Sequence, residues 1–236
     1  MASGRLFLLP AWLSEDTPPG DVVPAAVLHR IRTLDTFVAE NAKSARRYLA
    51  ACDHPKPMRD IAIAELNEHT PPEAVAALLA PALEGRDLGV LSEAGVPAVA
   101  DPGALLVAQA HAQGVTVVPL VGPSSVLLAL MASGLEGQRF RFAGYLPAEG
   151  AARRAAIAEL ERQSQKNAET QVFIETPYRN DALLADLLAT CKPATRLAVA
   201  ADLTAIHEFI RSDSIEKWRA RHEAIGKRPA IFLLLA

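Results

Sequence analysis

The sequence predicts an α/β protein of two domains. A mostly parallel sheet is expected in residues 1–120 and a mixed sheet in residues 121–236. Three observations predict this. Short apolar runs alternate with stretches of helical spacing through the first half, the mark of βα units. Those runs are apolar throughout, as strands covered on both faces are. After Gly134 the pattern changes, and residues 139–146 alternate with a period of two, which predicts a strand with one exposed face.

Taken in order, Arg5–Leu9 is an apolar strand ended by Pro10, and residues 14–20 form a polar, proline-rich loop. Residues 24–34 have helical spacing, with proline tolerated in the first turn. Thr36–Ala39 is a second strand, and 41–51 a helix that Asn41 is suited to cap. Residues 61–66 make a third strand, and 71–83 a helix stopped by Gly85. Leu88–Leu91 and 115–120 are the next strands. Each runs into a Gly/Pro-rich loop that opens a helix, one from Gly103 to about Gln113 and one ending near Ser133. The second half adds helices over 151–165, 181–189 and 214–223, the last with Ser214 as its cap. Its further strands are 171–175, Arg196–Ala201, 207–212 and Ala230–Leu235.

Composition narrows the function. Of 236 residues, 50% are hydrophobic and 22% charged, which gives a folded core rather than a disordered chain. The net charge of −3 leaves room only for a local basic surface. Cys52 and Cys191 form no CxxC pair, so no zinc or redox motif is present and no metal is expected. No basic segment followed by a long apolar run opens the chain, and no run approaches the ~20 residues that span a bilayer. A cytoplasmic protein without a membrane partner is expected. G-x-G-x-x-G, G-x-x-x-x-G-K-[ST], HExxH and G-x-S-x-G are all absent, which removes support for dehydrogenase, P-loop, metalloprotease and α/β-hydrolase readings.

Two backbone-rich loops remain, 92–103 and 121–125, each at the end of an apolar strand. In open α/β sheets ligands sit at that end. Ser124 or Ser125 is placed to cap the second helix, whose first N–H groups favour an anionic group. Asp101 either orients the first loop or faces a ligand, or caps the helix that starts at Gly103. The cluster Glu65-Leu-Asn-Glu-His69 is a base candidate, though it reads first as a solvated loop. Arg139, Arg141, Arg153 and Arg154 form a modest basic area suited to phosphates, or else a solvated face. Glu175, at a strand end, is placed either in a site or on the surface.

The segments Ser92-Glu-Ala-Gly-Val-Pro-Ala-Val-Ala-Asp-Pro-Gly103, Pro119-Leu-Val-Gly-Pro-Ser-Ser125 and Gly144-Tyr-Leu-Pro147 occur in a telling order. With Glu175-Thr176 and the apolar strand after Pro229, they resemble the tetrapyrrole (corrin/porphyrin) methylase superfamily. The similarity is greatest to its ribosomal-RNA small-subunit (cytidine 2'-O) methyltransferase-like branch. The resemblance implies that superfamily's two-domain fold, S-adenosylmethionine as methyl donor in a cleft between domains, and a homodimer. It implies a cofactor site of Pro10, Gly95, Val96, Val99, Asp101, Gly122, Ser124, Ser125, Thr176, Ala201 and Pro229. It implies RNA, at a ribose hydroxyl, as acceptor. A tetrapyrrole-like or other small acceptor, and a non-catalytic S-adenosylmethionine-binding regulator, are the alternatives.

The chain departs from that branch in two loops. The branch has Pro-x-x-Ile-Gly-Asn after the first strand and Ala-Glu-Asp-Thr-Arg after the second. Here they read Leu9-Pro-Ala-Trp-Leu-Ser-Glu-Asp16 and Ala39-Glu-Asn-Ala-Lys-Ser-Ala-Arg46, which keep only Glu40 and a displaced arginine. The first cofactor loop also lacks the Gly-Gly-Asp-Pro of the porphyrin-methylating relatives.

Overall fold

The structure, a computed structural model, describes residues 3–221 and 223–236. Residue 222, inside the helix expected over 214–223, lies outside the described residues. The chain divides into two compact units, Met1–Ser124 and Ser125–Ala236.

In the first unit the order is β1 (Arg5–Leu9), α1 (Pro19–Val22), α2 (Ala25–Thr33), β2 (Thr36–Ala39), α3 (Ala42–Ala51), β3 (Ala62–Glu65), α4 (Pro72–Val75), α5 (Ala80–Leu83), β4 (Leu88–Leu91), α6 (Gly103–Ala112) and β5 (Thr116–Pro119). The strands form a five-stranded sheet ordered β3-β2-β4-β1-β5. Every pairing is parallel. Successive strand residues point to opposite faces. Phe7, Leu9, Phe37 and Ala39 pack with Ile31 of α2 and Leu49 of α3 on one side. Leu6, Val38, Leu88 and Val90 pack with Leu79 and with Leu106 of α6 on the other. Burying one such side chain contributes about 1.5–3 kcal/mol. An exposed ion pair such as Arg5–Asp87, 3.0 Å apart, contributes about 0–1 kcal/mol. The two apolar layers therefore hold this unit, and the surface pairs trim it.

Continuous burial holds for β2 and β4, while β3 and β5 are the sheet edges and are largely exposed. Asn41 caps α3 as expected, its side chain accepting from Lys43 N and Ser44 N. Two expectations change. The loop expected over 14–20 gives way at Pro19 to the helical turn α1. The helix expected over 71–83 is broken into α4, a 3-10 turn Ala76–Leu79, and α5. Pro81 is the reason, because it lacks an N–H and its ring crowds the carbonyl four residues back.

The second unit contains α7 (Ser125–Ser133), β6 (Phe140–Tyr145), α8 (Gly150–Asn167), β7 (Thr170–Glu175), α9 (Asn180–Thr190), β8 (Arg196–Ala201), β9 (Phe209–Ser214), α10 (Ile215–Arg219) and β10 (Ala230–Leu235). Its sheet runs β6-β7-β10-β8-β9. The β6–β7 pair is parallel and the rest antiparallel, so the sheet is mixed as predicted. The core stacks Phe173 on Phe232, with ring centroids 6.0 Å apart, and buries Trp218, whose indole N–H donates to Leu197 O at 2.9 Å. The alternation expected in β6 is not kept. The strand shifts register between Phe142 and Gly144, where Gly144 takes φ +69, so its two faces lose their regular period. The last helix is shorter than expected, ending at Arg219, with Ser214 accepting from Lys217 N.

Both cysteines are buried and unbridged. Burial pushes the Cys52 thiol up to about 11 and the Cys191 thiol up to about 12. Among the described residues no helix is long and apolar enough to cross a membrane, and no cluster of potential metal ligands occurs.

Arg153 of α8 is 8% exposed and meets Asp186 of α9 at 2.6 Å. Burial alone raises the Asp186 carboxyl, but hydrogen bonds from Arg153 and Arg154 outweigh it and hold the group below the usual range. Such a pair adds stability above the unfolded carboxyl value and loses it as pH falls through the lowered one. Arg153→Met leaves the Asp186 carboxylate to Arg154 alone, 3.1 Å away and half exposed, and urea unfolding at neutral pH is expected to show a loss of up to about 3 kcal/mol. The gap between variant and wild type should narrow in acid.

Candidate functional site

The site of interest in the first unit is the edge where the parallel strands end. Leu9 lies beside Leu91, and Ala39 beside Leu91. Leu8 lies beside Pro119. The loops that follow, starting at Pro10, Glu40, Ser92 and Leu120, therefore leave the sheet side by side. From β1 the chain crosses to β2, and from the adjacent β4 it crosses the other way to β5. That reversal is the topological switch point at which such sheets bind ligands.

Three of these loops pack main chain to main chain. Ala11 N donates to Gly95 O at 2.7 Å, and Gly95 N to Trp12 O at 3.3 Å. Gly95 holds φ +72, and a Cβ there would lie 3.4 Å from Pro123 O. A Cβ on Gly122 would fall 2.1 Å from the Pro10 Cβ. Pro10 is fixed in turn by Tyr48, whose hydroxyl donates to its carbonyl at 2.7 Å.

Asp101 orients the first loop. Its Oδ1 accepts from Ala98 N at 2.8 Å and Gly103 N at 2.7 Å. It thus serves the first turn of α6 without being its capping residue, a position held by Pro102. Between these bonds Ala98 and Ala100 adopt φ 66 and φ 59, a left-handed conformation that costs non-glycine residues energy. Burial raises the Asp101 carboxyl, and its two backbone hydrogen bonds oppose the shift. Val96 is half-buried and Val99 is 49% exposed.

The remaining predicted residues belong to the second unit, apart from Ser124, which ends the first. Ser125 opens α7. Ala230 of β10 pairs with Glu175 on one side and Ala201 on the other, so Thr176, Ala201 and Pro229 gather at one end of that sheet. Asp202 N donates to Pro229 O at 3.0 Å. Glu175 is buried, not superficial. Its Oε1 accepts from Thr176 N and Arg179 Nη2, at 2.7 and 2.6 Å. Among the described residues, its Oε2 and the Asn180 Oδ1 are buried acceptors without a donor. S-adenosylmethionine carries amino and hydroxyl donors, and two unfilled acceptors beside Thr176 and Pro229 fit such a group.

Glu40 is the functional candidate that the residue-by-residue reading passes over. It follows the last residue of β2 and lines a small hollow with Leu66, Leu91, Asp101 and Gly103. Burial raises its carboxyl, and the like charges of Glu93, Asp101 and Glu68 add to this. Its neighbours are committed: Glu93 accepts from Ser44, and Glu65 from Ala42 N. The strand-end rule that finds the glycine loops points to this position as well.

Two sequence candidates resolve to the bland reading. His69 and Glu68 are 85% and 86% exposed in a solvated turn. The arginines are spent inside their unit: Arg153 and Arg154 on Asp186, Arg141 on Gln163, and Arg139 on Asn167 O.

The family model described as Tetrapyrrole (Corrin/Porphyrin) Methylases matches residues 17–218. The protein named ribosomal RNA small subunit methyltransferase I from Xylella fastidiosa (strain Temecula1 / ATCC 700964) is 38% identical over 192 residues, 81% of this chain and 66% of that one. Its namesake from Mycobacterium bovis is 36% identical over 217 residues, covering 92% and 72%. This chain thus spans between 66% and 72% of the length of those two relatives. Among solved structures, the methyltransferase CobJ superposes with TM-score 0.63 at 18% identity, covering 99% of this chain and 94% of its own. Diphthine synthase gives 0.67 at 15%, covering 99% and 90%. At these identities the two structures bear on the fold alone.

Gly122→Ala is expected to force the second loop away from Pro10. Overpacking of this kind costs about 1–3 kcal/mol, and thermal unfolding measures it.

Proposed function

This chain belongs to the tetrapyrrole (corrin/porphyrin) methylase family, and from that premise we propose that it is an S-adenosylmethionine-dependent methyltransferase acting on ribosomal RNA. The activity for which its relatives are named supports this acceptor. The packing of Pro10, Gly95 and Gly122 at the switch point is the structural observation that supports a ligand site there. A cytoplasmic location and a homodimer complete the reading.

S-adenosylmethionine supplies an activated methyl group on a sulfonium, and the protein's task is to hold donor and acceptor in line. The residues assigned to the cofactor are Pro10, Gly95, Val96, Val99, Asp101, Gly122 and Ser124 in the first unit. Ser125, Thr176, Ala201 and Pro229 are assigned in the second. Asp101 keeps the first loop in its left-handed course, and Tyr48 keeps Pro10 in place.

A ribose hydroxyl is a weak nucleophile and gains from a base. Glu40 is assigned that part. As the oxygen–carbon bond forms and the carbon–sulfur bond breaks, the electron pair stays on sulfur and the hydroxyl proton passes to the Glu40 carboxylate. Burial first, then the charges of Glu93 and Asp101, raise its proton affinity toward that of a useful base.

Calorimetric titration with S-adenosylmethionine and its demethylated product tests the cofactor. Micromolar binding is expected in the wild type and its loss in Gly95→Trp, whereas no wild-type binding defeats the proposal. RNA affinity should fall steeply with salt.

Glu40→Gln tests the base. Activity is expected to fall about 10²- to 10⁴-fold, with cofactor affinity retained. In the wild type, kcat/KM should rise with pH through a value above the ordinary glutamate 4.5. A raised folded pKa means that stability is present below the unfolded value and is lost as pH rises through the folded one. Glu40→Gln should therefore melt higher than wild type at neutral pH, the opposite sign to its effect on rate. Unchanged turnover removes Glu40 from the mechanism.

A further inference from the structure

In the second unit, Thr176 and Pro229 each stand two residues from an exposed side chain, Tyr178 and Lys227 respectively. Tyr178 is 80% exposed. Lys227 Nζ lies over its ring, 5.3 Å from the centroid. One ammonium covers one face of a ring at most, so exposure this large leaves the opposite face in water. The neighbouring cations are taken: Arg179 by Glu175, Arg228 by Asp202 and Lys217 by Asp213. Among the described residues Lys227 has no carboxylate partner, and its contact is the Tyr178 ring.

Both side chains stand on rigid mounts. Tyr178 is the middle residue of the 3-10 turn Pro177–Arg179, whose first φ the proline ring fixes. Arg179 closes the turn. Its N donates to Thr176 O at 2.9 Å, and its Nη2 to the buried Glu175 Oε1 at 2.6 Å. Lys227 is held on both sides by one buried amide: Asn180 Nδ2 donates to Gly226 O at 3.0 Å and to Arg228 O at 2.7 Å. Asp181 Oδ1 accepts from Ile225 N and Gly226 N, at 2.7 and 3.0 Å. The backbone is thus clamped while the aromatic and cationic tips stay in water. That is the build of a recognition surface, because the fold has already met the cost of ordering it. A second tyrosine, Tyr145, is 60% exposed and lies beside Ile174 where the parallel strands β6 and β7 end, so both rings stand at one end of the sheet.

Ligand chemistry discriminates between occupants. S-adenosylmethionine has a cationic sulfonium and no phosphate, so Lys227 offers it no attraction. Small-molecule sites also enclose about 70–90% of their ligand, which so open a ring cannot do. A single nucleic-acid strand needs an open aromatic face for a base and a cation for its phosphate, and both are present. We infer that Tyr178 and Lys227 form a docking platform for the RNA strand, with an unpaired base stacked on the open face of Tyr178 and an adjoining phosphate paired with Lys227. The nearby carboxylate, Glu175, is buried and committed to Arg179, so the docked nucleotide flanks the acceptor rather than being it. The platform grips without reading sequence, because every base has a face. This rests on the chain acting on RNA and adds where the strand is held.

The full chain is titrated by anisotropy with a labelled, single-stranded RNA of mixed sequence, over a series of salt concentrations. Tyr178→Ala should weaken binding about 10- to 100-fold, in line with the measured worth of a stacked base. Tyr178→Phe should bind within about twofold of wild type, and Tyr178→Leu, apolar without a ring face, should not. Lys227→Gln should lower the slope of log affinity against log salt by about 0.7, the share of one phosphate on a single strand. Urea unfolding and calorimetric S-adenosylmethionine affinity should stay as in wild type in all of these variants.

Tyr178→Ala binding RNA as wild type overturns the inference and leaves the patch to a protein partner. Loss of S-adenosylmethionine together with RNA overturns it as well, and makes Tyr178 part of the cofactor site. An unchanged salt slope in Lys227→Gln removes the phosphate contact, and a wild type that binds no RNA at low salt removes the platform. A wild type that binds RNA but not S-adenosylmethionine defeats the methyltransferase reading instead, so the two failures are told apart.

Discussion

The first unit depends on one constraint, the parallel alignment of β1 with β4 and β5. Parallel strands end together, so three loops leave the sheet at the same edge. They can share that edge only if their backbones approach more closely than side chains allow. Gly122 against Pro10 meets that demand, and Gly95 supplies the left-handed turn, φ +72, that brings its loop alongside. The hydrogen bonds that follow, from Ala11 to Gly95 and from Tyr48 to Pro10, lock the arrangement from both sides. The apolar layers on the two sheet faces make the platform rigid, and the loops inherit that rigidity.

The same edge gathers carboxylates. Asp101, Glu93 and Glu65 each have a donor in the folded chain, and among the described residues Glu40 stands beside them without one. A half-buried charge among like charges is a cost to folding, and structures keep such costs where chemistry uses them. The second unit shows the contrast. Its buried arginine, Arg153, is matched by Asp186.

Much of this was legible from residues alone. Strands as short as Thr36–Ala39 and Leu88–Leu91 announce themselves because they are apolar at every position, and Asn41 announces the start of α3. The two glycine-rich loops are legible because glycine and proline have few other reasons to stand together at a strand end. What stayed hidden depends on partners distant in sequence. Arg153 looks like one of a basic group until Asp186, 33 residues away, arrives beside it. Glu175 looks ambiguous until Arg179 and the strand register bury it. The break at Pro81 was written in the sequence, but the apolar spacing around it argues for one helix and conceals the interruption.

The cysteines carry a practical consequence. Cys52 and Cys191 are sealed in separate cores, and burial keeps both as neutral thiols at ordinary pH. Thiols attack alkylating reagents as thiolates, so the native chain offers almost no background to maleimide chemistry. A single cysteine placed on the surface would take a spin label or fluorophore at one known point. Neither native cysteine need be removed first.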